Sequence, residues 1–195
     1  YTIDNAVKSK LFNKIHISTD SSLIKKIVKK KKLQIEFMRS KKLSDDKTPL
    51  FKVYNFVVNE YKKRGFVFDE IWSIMPCAPN LEVNDIKKIS KFYNKLKVKN
   101  PILSVSEYKV PIEWAFNIKK SGNLIPINQK SQLRRSQDIK KKYYDAGQFC
   151  VYPGKKFFTY NFIKKNYYYI GYILPSRKSV DIDDIEDWKL AEKLH

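Results

Sequence analysis

Close to its C-terminal end the sequence reads SVDIDDIEDW, Ser179 to Trp188, with five acidic residues in ten inside a chain of formal net charge +20. Carboxylates crowded in this way repel one another unless a cation lies beside them or local backbone groups use them. In an extended backbone, the alternation Val180-Asp181-Ile182-Asp183 turns Asp181 and Asp183 to one face, roughly 7 Å apart, and Val180 and Ile182 to the other. Two hard oxygen donors on one face suit Mg²⁺, which takes one or two protein carboxylates and fills its shell with water and substrate phosphate. Asp184 suits the cap of a helix beginning at Ile185, with Glu186 and Asp187 in a first turn where the dipole favours anions. The cluster therefore divides into two acids for a metal and three for a helix start. A D-x-D ahead of a helix also fits a plain capped turn, and spacing alone leaves both readings open.

Such side chains act only where elements bring them together. Ile3, Ala6, Val7 and Leu11 share one face of an opening helix. Next come a short strand in KIHIS, a helix from SSLIKKIVKK, a strand in LQIEF and a polar loop, RSKKLSDDKTP. LFKVYNFVVNEYKKR is an amphipathic helix that Gly65 ends, and DEIWSIM is a buried strand stopped by Pro76. EVNDIKKISKFYNKLKVK is helical and PILSVS extended. A hairpin-like stretch between Trp114 and Ile127 turns at Ser121-Gly122-Asn123. YYYIGYIL, whose Tyr167 to Tyr169 suit a strand without any ligand, and the closing helix IEDWKLAEKL complete the order.

Strands alternating with helices imply an α/β protein of three layers, with a mainly parallel central sheet and a small hairpin insertion. Ligands of such sheets bind beyond the carboxyl ends of the strands. The residues to weigh are therefore Ser18-Thr19-Asp20 after KIHI, Arg39 after LQIEF, and Pro76-Cys77-Ala78-Pro79 after IWSIM.

A length of 195 residues suits one domain, and 43% hydrophobic residues exclude a disordered chain. No apolar run approaches the ~20 residues of a membrane span. Cys77 and Cys150 lie too far apart to suggest a zinc pair or a disulfide scaffold, so a reducing cytoplasm is the expected setting. Only five of the 40 basic residues are Arg, and the lysine runs sit at helical spacing, as on solvated helix faces. No aromatic RNA-binding signature accompanies them, so no specific nucleic acid is expected. The positive field would still attract a small polyanion such as a nucleoside triphosphate.

RRSQDIKKKYYDAGQF (Arg134 to Phe149), together with VDIDDIEDWKLAE (Val180 to Glu192), resembles the pseudaminic acid cytidylyltransferases within the wider acylneuraminate cytidylyltransferase family. KSKLFNKIHISTDS and MRSKKLSDDKTP resemble the same family in the same order. The resemblance runs over essentially the whole chain and implies a Rossmann-like nucleotidyltransferase. Such an enzyme transfers CMP from CTP to the anomeric hydroxyl of a nine-carbon keto sugar acid and releases pyrophosphate, with Mg²⁺ as cofactor. It further implies that Asp181 and Asp183 hold the metal and act in catalysis, and that Arg39, with Ser44, Asp46, Thr48 and Asp20, lies near the nucleotide. Arg135, Gln137, Asp145 and Gln148 are implied around the sugar acid, with Cys77 and Ala78 in the adjoining turn. A homodimer is expected, its hairpin region reaching over the partner's site. In MPCAP the chain departs from the Gln-Pro-Thr-Ser turn of the sialic acid enzymes. The family's first strand and its triphosphate-binding loop would precede Tyr1. Residues 1–195 are thus expected to be a single domain lacking both, and by themselves a poor catalyst.

Plainer roles exist for these residues. Asp20 could cap the helix at Ser21, Arg39 could form a surface ion pair, Arg134 and Arg135 could be a basic turn, and His16 and Cys77 could be packed. The competing functions are a non-catalytic polyanion- or RNA-binding α/β domain or a truncated, inactive enzyme. Among active enzymes, sialic or legionaminic acid is the alternative substrate.

Overall fold

The computed structural model describes residues 1–97, 100–160 and 168–194. The end of the expected fourth helix, at Val98 and Lys99, and the strand expectation at Tyr167 lie outside them. Helices α1 (Thr2–Ser9), α2 (Ser22–Lys30), α3 (Leu50–Lys63), α4 (Val83–Lys95) and α5 (Ile185–Leu194) stand where the apolar periodicity puts them. Ser21 Oγ accepts from the Ile24 N–H to cap α2, and α3 runs out at Gly65, whose φ of +81° suits glycine.

Among the described residues, four strands make the central sheet: β1 (Glu70–Ile74), β2 (Ile102–Glu107), β5 (Tyr143–Pro153) and β6 (Ile170–Ile173), in the order β1-β5-β2-β6. β2 pairs with β6 in parallel, whereas β5 runs antiparallel to both β1 and β2. Three strands therefore share one direction and the sheet is mixed. The reversal arises because β5 is reached from β2 through an arm and turns, without a crossover helix.

Alternation along β5 sorts the two faces. Phe149 and Val151 meet Ile86, Ile89 and Tyr93 of α4, while Cys150 and Tyr152 meet Val58 and the partly buried Tyr54 of α3. Helices on both faces give the three layers. α1 lies beside the start of α4, where Asn5 Nδ2 donates to Leu81 O at 3.0 Å. β3 (Phe116–Ile118) and β4 (Leu124–Pro126) form the separate hairpin, turning with Gly122 at φ +84°. Among the described residues, no helix is long and apolar enough to cross a membrane.

Two strand expectations are corrected. KIHIS and LQIEF carry no ladder among the described residues. They run side by side, joined at their ends by one backbone hydrogen bond, Arg39 N–H to Thr19 O at 2.8 Å. Side chains hold the rest: the His16 ring stacks on Phe37 at 4.4 Å, Tyr61 of α3 meets both rings edge-on, and Lys14 pairs with Glu36. Alternation selects which side chains turn inward, but a ladder also needs backbone groups at pairing distance.

Candidate active site

β1, β2 and β6 all point their carboxyl ends to one end of the sheet, and there the turn of Cys77 and Ala78 meets the β5 stretch of Asp145 to Gln148 and Asp181. The register of β5 on β2 jumps between Leu103↔Cys150 and Val105↔Asp145, so Ala146–Phe149 bulge out of the ladder. The bulge is built by named contacts. Ser104 Oγ accepts from the N–H groups of Gln148 and Phe149, both at 3.1 Å, and Asp145 Oδ1 accepts from Gly147 N–H at 3.0 Å. Gln148 O accepts from Met75 N–H at 3.0 Å, which joins the bulge to the turn after β1.

Gly147 sits at the crest with φ +64°. A Cβ there would stand 2.5 Å from Asp181 Oδ2, so the missing side chain is what lets this carboxylate lie against the backbone. From the other side, the Cys77 thiol is within hydrogen-bonding reach of Asp181. Burial first, then that hydrogen bond and the carboxylate's charge, push the thiol up to about 11. It stays protonated at neutral pH and acts as a donor toward Asp181, not as a nucleophile.

Asp181 and Asp183 are both exposed, with Ile182 half-buried between them, on a stretch that is neither strand nor helix. The helix start that follows uses the remaining acids. Asp184 Oδ1 accepts from the N–H groups of Glu186 (2.8 Å) and Asp187 (2.9 Å), and Asp187 Oδ2 accepts in return from those of Asp183 (3.1 Å) and Asp184 (3.3 Å). Glu186 pairs with Lys189. Asp184 and Asp187 thus form a reciprocal cap.

The expected residues fall into three groups. In the first, Arg39 Nε donates to Ser44 Oγ at 3.0 Å and its guanidinium lies 3.9 Å from Asp20, so these three stand together. Asp46 is exposed in the same loop, and Thr48 Oγ1 reaches Lys42 O at 3.4 Å. The second contains Cys77, Ala78, Asp145, Gln148 and Asp181 around the bulge. Gln148 and Ala78 in it are wholly buried. The Gln148 amide nitrogen donates to Ala146 O (2.8 Å) and Val180 O (3.1 Å), so it braces the backbone beneath Asp181. In the third, the exposed Arg135 and Gln137 lie next to each other on a turn after the hairpin.

Sequence reasoning missed the parts that support the carboxylates. Gly147 had a signal, since a glycine inside a strand pattern marks a bulge or a close approach. Ser104, Ser106 and Ser179 had none. Ser179 Oγ meets Ser106 Oγ at 3.0 Å, and hydrogen bonds from this pair hold the Tyr144 phenol below its ordinary range.

The chain matches the family model described as Cytidylyltransferase over residues 1–188. It is similar to the pseudaminic acid cytidylyltransferase of Campylobacter jejuni subsp. jejuni serotype O:2, at 27% identity over 195 residues that cover 100% of this chain and 83% of the relative. The CMP-N,N'-diacetyllegionaminic acid synthase of Legionella pneumophila is 23% identical over 199 residues, with the same two shares. The N-acylneuraminate cytidylyltransferase of Escherichia coli O18:K1:H7 is 24% identical over 201 residues, covering 98% of this chain and 44% of the relative.

Proposed function

This chain belongs to the cytidylyltransferase family, and from that we propose that it transfers CMP from CTP to the anomeric hydroxyl of a nine-carbon keto sugar acid, pseudaminic acid first. The observation that carries the reading is the exposed Asp181 carboxylate, seated against Gly147 and Cys77 at the carboxyl ends of the parallel strands. In the reaction the anomeric oxygen attacks the α-phosphorus and the bond from that phosphorus to the pyrophosphate oxygen breaks. Pyrophosphate leaves with the electron pair, and the hydroxyl proton passes to solvent.

The residues present fit Mg²⁺. Asp181 and Asp183 are hard oxygen donors on exposed residues, and the missing Cβ of Gly147 gives the Asp181 carboxylate its place at the bulge. Among the described residues no three His, Cys, Asp or Glu side chains cluster as a metal cage. That suits an ion keeping several water and phosphate ligands. When bound there, Mg²⁺ would neutralise the triphosphate and favour attack at phosphorus. The protein's own contribution is placement and charge. Arg39, oriented by Ser44, would meet phosphate oxygens, with Asp46 and Thr48 in the same loop. Arg135, backed by Gln137, would take the sugar carboxylate in the two-pronged manner of a guanidinium. A homodimer is part of this proposal, because the hairpin exposes Phe116, Ile118, Leu124 and Ile125 together.

The experiment is a coupled pyrophosphate-release assay with CTP, Mg²⁺ and a panel of pseudaminic, legionaminic and sialic acids. Turnover with one of them, highest for pseudaminic acid, is expected of the protein in its natural full length. Absence of release with every acid, combined with tight, salt-resistant binding of RNA, would replace the enzyme by a binding module.

A further inference from the structure

Lys178 is a cation almost wholly withdrawn from water, three residues ahead of Asp181. A charge is that buried only when it is paired. Its ammonium donates to Asp85 and lies 3.2 Å from Glu82 Oε2. Both acids belong to the start of α4, Glu82 as N-cap and Asp85 as the third residue of a reciprocal capping box, in which Glu82 N–H donates to Asp85 Oδ2 at 2.9 Å.

This arrangement is asymmetric. Without Lys178, both carboxylates keep the backbone N–H groups and the favourable dipole of the helix start. Without the acids, a buried ammonium stands alone, which is strongly unfavourable. The start of α4 does not depend on Lys178, whereas Lys178 depends on α4. What the ion pair fixes is therefore the segment that carries the lysine.

That segment is held from three further directions. Asn80 Nδ2 donates to Arg177 O at 3.2 Å, Ser179 Oγ bonds to Ser106 Oγ of β2 at 3.0 Å, and Gln148 Nε2 of the β5 bulge donates to Val180 O at 3.1 Å. Each residue from Arg177 to Val180 thus has its own tether, and the exposed Asp181 follows directly. We infer that Lys178 is a positioning residue: its buried ammonium locks the strap Arg177–Val180 to the start of α4 and so sets where the Asp181 carboxylate stands. The inference rests on the reading of Asp181 as a ligand for the divalent cation of nucleotidyl transfer.

The test is Lys178→Met, which keeps the apolar stem and removes the charge. Three readouts are taken: the melting temperature, Mn²⁺ binding by calorimetry without nucleotide, and backbone hydrogen exchange over residues 176–183. The Mg²⁺ concentration for half-maximal CTP turnover is measured alongside. Partners that orient metal ligands are typically worth 10- to 100-fold in affinity. The expected result is a Mn²⁺ dissociation constant and a half-activating Mg²⁺ concentration raised about tenfold or more. Exchange over 176–183 should become faster, while turnover at saturating Mg²⁺ stays within a few-fold. Asp85→Asn keeps an oxygen for the Glu82 N–H and weakens the pair, so it should move every readout the same way but less. Unchanged Mn²⁺ affinity in folded Lys178→Met overturns the inference. So does loss of folding in both variants, which would make the lysine a stability residue only. If the unaltered protein shows no CTP turnover yet the variants still weaken Mn²⁺ binding, the functional reading fails and the strap stands.

Discussion

At the scale of the residue, three neighbouring aspartates meet different surroundings. Asp184 faces two backbone N–H groups of its own helix, whereas Asp181 lies against Gly147 and Cys77 and Asp183 is exposed. Asp181→Asn and Asp183→Asn should each lower CTP turnover on the order of 10²-fold or more, since metal assistance is worth several kcal/mol. Asp184→Asn retains a capping oxygen and should be nearly silent. Asp184→Ala should cost about 1 kcal/mol of stability without a matching loss of turnover. Equal effects of all three Asn variants in a steady-state assay would remove the distinction. Gly147 offers a second check. Gly147→Ala places a methyl against Asp181 at a φ of +64°, a conformation costing roughly 1–2 kcal/mol for a residue with a Cβ. Turnover should fall more than about tenfold while the melting temperature drops only a few degrees. A folded Gly147→Ala with full activity would mean that the close approach does not matter.

At the scale of the element, the unit formed by residues 14–18, residues 33–37 and α3 depends on a neutral histidine. Burial, with the nearby Arg64 guanidinium and against the pull of Glu36, brings His16 down to about 4 from 6.5. Its Nδ1 shares a hydrogen bond with Tyr61 Oη at 3.2 Å. Between these two pKa values the unfolded chain binds more protons than the folded one, so stability rises with pH. The contribution is complete above about 6.5 and lost as pH falls toward 4. Denaturant titrations at a series of pH values should show this loss in the unaltered protein and a flatter profile in His16→Gln. Equal profiles would assign the acid sensitivity elsewhere. Legibility also varied by element. The five helices were readable because their signals lie within a few residues, for instance Gly65 ending α3 and Asp184 before α5. β5, the longest strand among the described residues and an inner one of the sheet, was not readable as one. Asp145, Ala146 and Gly147 interrupt its pattern, and Ser104 of β2, Asp145 itself and Met75 satisfy the backbone groups of the bulge.

At the scale of the whole molecule, the hairpin stands off the sheet with Ile118 72% and Leu124 59% exposed, an apolar surface that water disfavours. If two copies bury these faces together, Ile118→Asp should convert a dimer to a monomer in sedimentation velocity and leave the melting of each copy little changed. A monomeric unaltered protein would reject the dimer. Taken by itself, the sequence determined the α/β class, the helices, the hairpin, and the helix start at Asp184. Each of these rests on spacing within four residues or so, where hydrogen bonding and periodicity are local. The ordered motifs added the family. Only the tertiary structure decided that β5 lies reversed between β1 and β2, and that residues 14–18 and 33–37 pair through side chains without a ladder. It alone brought Gly147 against Asp181 and Lys178 to the acids of α4. Those pairs join residues 34 and 93 positions apart. Such contacts depend on how the bulge and the turns fold back across the sheet, and no local pattern in a chain carrying 40 basic residues singles out Lys178 for burial.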